Sequence, residues 1–327
     1  MGLTGTSLAI DAGNSKTDVA LVGADGTVLA TARGGGFQPP VVGTARAVDG
    51  VAPLIASVLA TAGTDGPVDH VSAFLANADL PPEEDALTAE IASRGWARTV
   101  TVRNDTFALL RAGVPDTGDP VGVAVVCGAG INCAGLGHGG RTARFPSIGR
   151  ISGDWGGGGH LAEEAVWWAA RADDGRGEPS ALAEAIPAHF GVSGMPELIE
   201  AFHLGRLSFE ERRHELTPVL FAVAADGDPV ARALVRRQAE EVAVLATVAL
   251  GRLDLLSEPV PVVLGGGVLA AQHPLLHDRV LQLLAERAPK AIPHVVTAPP
   301  VLGAALDALD RAGAGAGAYE RLRRAFG

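Results

Sequence analysis

The chain has 327 residues, 47% hydrophobic and 19% charged, enough apolar material for two cored domains, so wholesale disorder is excluded. Its formal net charge is −11 and only 4% of residues are aromatic. It therefore lacks both the positive charge that neutralises a phosphate backbone and the rings that stack bases, and nucleic acid is excluded as a partner. Two cysteines, Cys127 and Cys133, are too few for a disulfide framework or a complete zinc site.

The opening residues carry no basic segment followed by an apolar core, so no signal peptide is expected. The longest uncharged stretch, 121–137, is interrupted by glycines and reads as strand and loop, not as a membrane helix. A soluble, cytoplasmic protein with no membrane partner is expected. An apolar run at 8–10 ends in the turn Asp11-Ala12-Gly13-Asn14. Residues 17–22 alternate as a strand, and Asp25-Gly26 turns the chain back into a third strand at 28–31. A helix (43–62), a strand (70–75), a helix (82–94), a strand (99–102) and a helix (105–112) complete a βββαβαβα half.

The order then starts again. A buried-looking strand at 121–127 runs into Gly128-Ala129-Gly130, with further strands at 132–136 and 142–145. Residues 161–253 are mostly helical; Asp228-Pro229 has the form of a helix cap followed by proline at the first helical position. A strand (261–264), a helix (275–288), a strand (292–297) and a helix (303–312) follow. The stretch 116–120 is the expected boundary, giving domains 1–117 and 118–312, the second with a helical insertion at 159–254. A Gly-Ala joint from residue 313 leads to a last helix, within 313–327, expected to pack back on the first domain.

Glycine is the compositional outlier, 43 residues or about one in eight, and it clusters. Each half opens with a hairpin tipped by glycine and small polar residues: Asp11-Ala12-Gly13-Asn14-Ser15-Lys16-Thr17-Asp18 in the first, Gly128-Ala129-Gly130-Ile131-Asn132 in the second. Such tips let backbone N–H groups converge on phosphate oxygens. Asp11 is suited to hold Mg2+ through water, and Lys16, one of only two lysines, to stand beside phosphates as a point charge. Taken alone, either tip is an ordinary hairpin turn. Gly128 to Asn132 also follows a strand as a dinucleotide-binding turn does, but the glycines from Gly135 to Gly140 cannot form the helix which that motif requires. A third cluster, Gly265-Gly266-Gly267, permits close packing of a flat group such as adenine.

The duplicated βββαβαβα order with a phosphate hairpin opening each half resembles the actin-like ATPase and sugar-kinase superfamily. Within it the chain resembles the BadF/BadG/BcrA/BcrD ATPase family, especially its N-acetylglucosamine kinase branch. Asp11 to Asp18 match the first phosphate motif, Asn104-Asp105 the motif with the catalytic aspartate, and Gly128 to Asn132 the second phosphate motif. Gly149 to Asp154 and Gly265 to Gly267, at the adenosine motif, complete the set in order. The resemblance implies an α/β, ribonuclease H-like duplicated fold with a cleft between its domains, and ATP with Mg2+. ATP would be bound by Asp11, Gly13, Asn14, Ser15, Lys16, Thr17, Gly128, Gly130 and Gly265 to Gly267. Asp105 would be the general base, and Gln38, Asn104, Asn132 and Asp154 would face a small-molecule sugar; a homodimer is also implied.

On the residues alone, Asp105 equally suits a helix cap, and Asp154 and Asn132 suit turn stabilisation. Three departures from the family pattern bear on the sugar. Trp155 stands where the family usually carries Glu; Gln38 lies where amino-sugar kinases carry Asn; and Gly156 to Gly159 are either mobile or closely packed. The leading expectation is a kinase for N-acetylglucosamine or a related amino sugar. N-Acetylmuramic acid, glucosamine or a cyclitol is the alternative, and an ATPase that activates a partner enzyme through a shared iron–sulfur cluster is the remaining one.

Overall fold

Strands form where short β-branched runs are covered on both faces, and helices where apolar residues recur at helical spacing. The structure, a computed structural model, describes residues 5–64, 66–116 and 119–327. Residues 117 and 118 of the expected boundary lie outside the described residues, as do the first four. The first half runs β1 (Thr6–Ala12), β2 (Thr17–Gly23), β3 (Val28–Gly34), α1 (Pro39–Val42), α2 (Thr44–Thr61), β4 (Val68–Leu75), α3 (Pro81–Ser93), β5 (Ala97–Asn104) and α4 (Thr106–Gly113). The second opens with β6 (Gly122–Cys127), β7 (Ile131–Leu136) and β8 (Thr142–Arg144).

Helices then follow as α5 (Gly158–Asp173), α6 (Leu182–Phe190), α7 (Met195–His203), α8 (Phe209–Arg212), α9 (Leu216–Ala225) and α10 (Pro229–Arg252). The chain ends with β9 (Val260–Gly265), α11 (Gly267–Ala270), α12 (Pro274–Arg287), β10 (Ala291–Val295), α13 (Val301–Ala312) and α14 (Ala316–Phe326). The βββαβαβα order expected from the sequence is thus present twice, the second time with its helical insertion. At the start of α10 the Asp228 carboxylate accepts the Ala231 N–H at 2.8 Å with Pro229 in the first turn, as its sequence specifies.

The first sheet has the order β3-β2-β1-β4-β5, with β1 antiparallel to β2 and parallel to β4, and β4 parallel to β5. The second has the order β10-β9-β6-β7-β8. Every residue of β1 is buried because both sheet faces are covered. Leu8, Ile10, Val19, Leu21, Val71 and Leu75 pack with Val51, Ile55 and Val58 of α2 and with Leu87 and Ile91 of α3. Each such side chain contributes about 1.5–3 kcal/mol when fully buried.

Two compact units divide the chain: Met1–Ala124, Ala134–Pro146 and Val296–Gly327 form one, and Val125–Cys133 with Ser147–Val295 the other. These bounds differ from the 1–117 and 118–312 drawn from the sequence. Helix α13 belongs to the first unit, where it packs on β1, β4 and α4 and buries Leu302, Leu306 and Leu309. Helix α14 lies in the same unit.

Candidate active site

In the first unit β1 and β2 pair with Asp11 opposite Asp18 and Ala12 opposite Thr17. The four residues between are closed by a hydrogen bond from the Gly13 N–H to the Lys16 carbonyl at 2.9 Å. The loop after β3 braces this tip. The Phe37 N–H donates to the Gly13 carbonyl at 2.9 Å, and Gln38 Nε2 donates to the Asn14 carbonyl at 3.2 Å. Asn77 Nδ2 reaches both Asn14 Oδ1 at 3.0 Å and the Phe37 carbonyl at 3.2 Å. Gly36 permits this contact, since a Cβ there would lie 2.0 Å from the Asn14 carbonyl oxygen.

Asp18 accepts bonds from Arg33 and from Lys16 Nζ, the latter at 3.1 Å. Burial alone would raise the Asp18 carboxyl, but those two cations outweigh it and hold it below the ordinary value. Lys16, expected beside phosphates, therefore stands on Asp18, with its side chain about half exposed. Asp11 differs: its buried carboxylate makes no hydrogen bond or ion pair among the described residues. Burial, then the charges of Asp105 and Asp18, push it up to about 8 against the pull of Lys16. A buried carboxylate without a partner, beside two further acids, is a donor set that fits a cation.

Asn104 and Asp105 join β5 to α4 and divide two tasks. Asn104 is buried; its Oδ1 accepts the Thr106 N–H at 3.0 Å and its Nδ2 donates to Asp79 at 2.8 Å. Both ends of the Asn104 amide are thus engaged in holding the strand-to-helix turn. Asp105 sits at the N-cap position of α4 yet makes no side-chain capping bond. Burial raises its carboxyl to about 6, which the N–H groups of Thr106 and Asp105 offset only in part. Capping belongs to the neighbouring Asn104, and the Asp105 carboxylate takes no part in it.

In the second unit the Gly128 N–H bonds to the Gly130 carbonyl at 2.9 Å, closing the turn between β6 and β7. A strand follows, not a helix, as the rejection of a dinucleotide motif requires. The run Gly156 to Gly159 is closely packed: the N–H groups of Gly158 and Gly159 donate to the carbonyls of Gly128 and Ala129 at 2.7 and 2.9 Å. The start of α5 is therefore seated on the second turn. Gly266 precedes α11 at φ 82°, and a Cβ there would meet the Cys127 backbone at 2.5 Å, so only glycine fits. No atom lies within 4 Å of the Cβ position of Gly267, whereas the next residue, Val268, is buried. Gly265 ends β9 and is itself buried.

Asp154 accepts from Ser152 Oγ and from the Gly149 N–H at 3.1 Å, both through Oδ2. It stabilises its own turn through Oδ2, and among the described residues its Oδ1 accepts no bond. Asn132 Oδ1 accepts the Cys133 N–H at 2.7 Å. Trp155 is buried, with the Arg237 guanidinium 4.1 Å above its ring and the His160 ring 4.9 Å away. Cys127 and Cys133 are both fully enclosed, and burial pushes the first thiol up to about 12 and the second higher. Enclosed thiols of this kind are poor ligands for a cluster shared between subunits. Among the described residues no helix is long and apolar enough to cross a membrane.

Sequence reasoning missed Asn77, Gly36 and Asp79. Asn77 carried one usable signal, as an asparagine just past a strand, where a left-handed backbone (φ 61°) is tolerated.

Known proteins resemble this chain over most of its length. It is 26% identical to the N-acetylmuramic acid/N-acetylglucosamine kinase of Clostridium acetobutylicum over 194 residues, 59% of this chain but only 62% of that enzyme. It is 24% identical to the N-acetyl-D-glucosamine kinase of Dictyostelium discoideum over 313 residues, 93% of this chain and 97% of that one. A solved Chromobacterium violaceum structure, provisionally named an N-acetylglucosamine kinase, superposes with a TM-score of 0.71 at 23% identity, covering 93% of this chain and 98% of its own. The fold is therefore that of the sugar kinases. The sequence model of one family matches residues 8–308, and the chain belongs to that family, the BadF/BadG/BcrA/BcrD ATPases.

Proposed function

We propose that the protein is an ATP-dependent kinase for N-acetylglucosamine or a related amino sugar, with Asp105 as general base. The observation that carries this reading is the Asp105 carboxyl: partly buried, free of capping duty, and raised to about 6. A base of that strength is ionised at neutral pH and still takes a proton from a hydroxyl as that oxygen bonds to phosphorus. The sugar oxygen forms its bond to the γ-phosphorus of ATP as the bond from that phosphorus to the β,γ-bridging oxygen breaks. ADP departs and the hydroxyl proton passes to Asp105.

Gly13 to Thr17 and Gly128 to Gly130 offer backbone N–H groups to phosphate oxygens, and Gly265 to Gly267 pack against the nucleoside. Asp11 is the residue that would hold Mg2+, which supplies charge neutralisation on the phosphates when bound. The uncommitted Oδ1 of Asp154, together with Gln38 and Asn132, faces the sugar. Asn104 acts through its hold on the turn. The resemblance extends to a homodimer in the cytoplasm, which light scattering of the purified protein tests for assembly.

A second reading keeps the chemistry and changes the sugar. Trp155, buried beneath Arg237, stands where the family usually presents an acid, so the substituent met beside Asp154 differs from that of a simple N-acetylglucosamine kinase. N-Acetylmuramic acid, the other sugar in the name of the Clostridium relative, is the first alternative to try. An ADP-release assay with Mg-ATP across amino sugars, hexoses and cyclitols tests both. One sugar giving strong turnover that Asp105→Asn abolishes establishes a kinase and names its substrate. A basal ATPase that no sugar raises refutes it.

A further inference from the structure

Helix α4 carries Asp105 at its start, and its far end is held by an unusual set of ionic contacts. Arg111, on the last turn of α4, is nearly enclosed. It donates to Asp310 of α13 through Nε at 2.6 Å and Nη2 at 2.9 Å, and to Asp116 through Nη1 at 2.9 Å. Arg323 of the C-terminal helix grips the same Asp116 with two further bonds, of 2.5 and 2.8 Å. It also donates Nη1 to the Ala112 carbonyl at 2.8 Å and Nη2 to the Val114 carbonyl at 3.0 Å. These carbonyls belong to the end of α4, where the helix itself supplies no N–H partner. Tyr319 of α14 closes the cluster, its hydroxyl 3.1 Å from Asp310.

We propose that Arg323 is a positioning residue for Asp105, the C-terminal helix acting as a clamp on the far end of α4. The proposal rests on the reading of Asp105 as the base. Helix α4 has 8 residues and is about 12 Å long at 1.5 Å per residue. It is a short rigid lever resting on α13 at Ala108, three residues or about 4.5 Å from Asp105, so a tilt of about 13° about that contact displaces Asp105 by about 1 Å, enough to cost about a hundredfold in rate. The seating of α13 at the third residue of α4, where a Cβ on Gly303 would lie 1.8 Å from the Ala108 carbonyl, supplies the pivot, and the Arg111–Asp310 and Arg323 bonds fix the arm beyond it.

The test compares Arg323→Ala with Arg321→Ala, the latter on the same helix but bonded to Asp25. Both are assayed at a temperature where circular dichroism reports them folded. Arg323→Ala should lower kcat about 10- to 100-fold with KM for ATP and sugar within about threefold of wild type. The hydrogen-bonded amides of Asp105, Thr106 and Ala108 should exchange about tenfold faster. Arg323→Lys should recover part of both effects, and Arg321→Ala should show neither. Unchanged kcat and unchanged exchange in Arg323→Ala overturn the proposal, as do equal effects in Arg321→Ala. Should Arg323→Ala fail to fold, Arg323→Lys and Asp116→Asn replace it with graded loosening of the same cluster. If wild type phosphorylates no sugar, the kinase reading fails and the exchange measurement alone decides whether the clamp exists.

Discussion

Replacing Asp105 by Asn removes a charge that the fold tolerates at a cost, so it should damage activity and help stability. The Asp105 carboxyl is raised from 3.8 to about 6 by burial. Between those two values the folded protein binds the proton more tightly than the unfolded chain. This group's contribution to stability is therefore fully present below about 4, is lost as pH climbs to about 6, and stays lost above. At about 1.36 kcal/mol per unit, the ionised group disfavours folding by about 3 kcal/mol at pH 7.5 and about 1 kcal/mol at pH 4.5, as upper bounds. Asp105→Asn, isosteric and uncharged, escapes both costs. Urea unfolding of wild type and variant at the two pH values reads the difference: the variant's advantage should grow by about 2 kcal/mol from pH 4.5 to 7.5. Turnover should meanwhile fall about 10²–10⁴-fold, the usual worth of a positioned base. A variant less stable than wild type at pH 7.5, or an advantage equal at both pH values, refutes the assignment of Asp105 as a partly buried, uncompensated carboxylate. Retained turnover refutes its role as base.

Four further outcomes follow from particular contacts. kcat/KM should fall about tenfold per unit as pH drops below about 6, because Asp105 must be ionised to accept a proton; a pH–rate profile with an uncharged sugar reads this limb. Gly36→Ala places a Cβ 2.0 Å from the Asn14 carbonyl, so the first turn must shift. Stability should drop by about 1–3 kcal/mol and KM for ATP should rise, as melting and initial rates would record. Asn104→Ala leaves the Thr106 N–H without its side-chain acceptor and removes one donor from Asp79, a loss of about 1–3 kcal/mol. If Asn104 holds the turn and not the sugar, calorimetry will find sugar affinity unchanged while kcat falls. Chelation of divalent cations should abolish phosphoryl transfer, and Asp11→Asn should raise the Mg2+ concentration needed for half-maximal rate.

What could be read in advance follows the range over which each interaction acts. The duplicated strand and helix order was legible because period-two and period-3.6 patterns, glycine turns and the Asp228-Pro229 cap are local in sequence. The two glycine turns and the placing of Asp11 at the first and Asp105 at the start of α4 were legible for the same reason, since each lies in a short motif of its own. The domain limits were not, because α13 is an amphipathic helix whose partners β1, β4 and α4 lie some 190 or more residues earlier, and nothing within 303–312 names them. The division of labour between Asn104 and Asp105 was hidden too: either side chain can cap a helix, and only the distant Asp79 and Thr106 contacts commit Asn104 to the turn. The same logic governs Gly156 to Gly159, whose tight seating depends on carbonyls of the second turn thirty residues earlier. Motifs therefore announce the atoms that do chemistry, whereas the residues that aim them are recruited through tertiary contacts. In this chain Asp79, Asn104 and the cluster around Arg111 and Arg323 are where a substitution remote from both glycine turns will be felt first in turnover, while Asn77 acts on the first turn directly through Asn14.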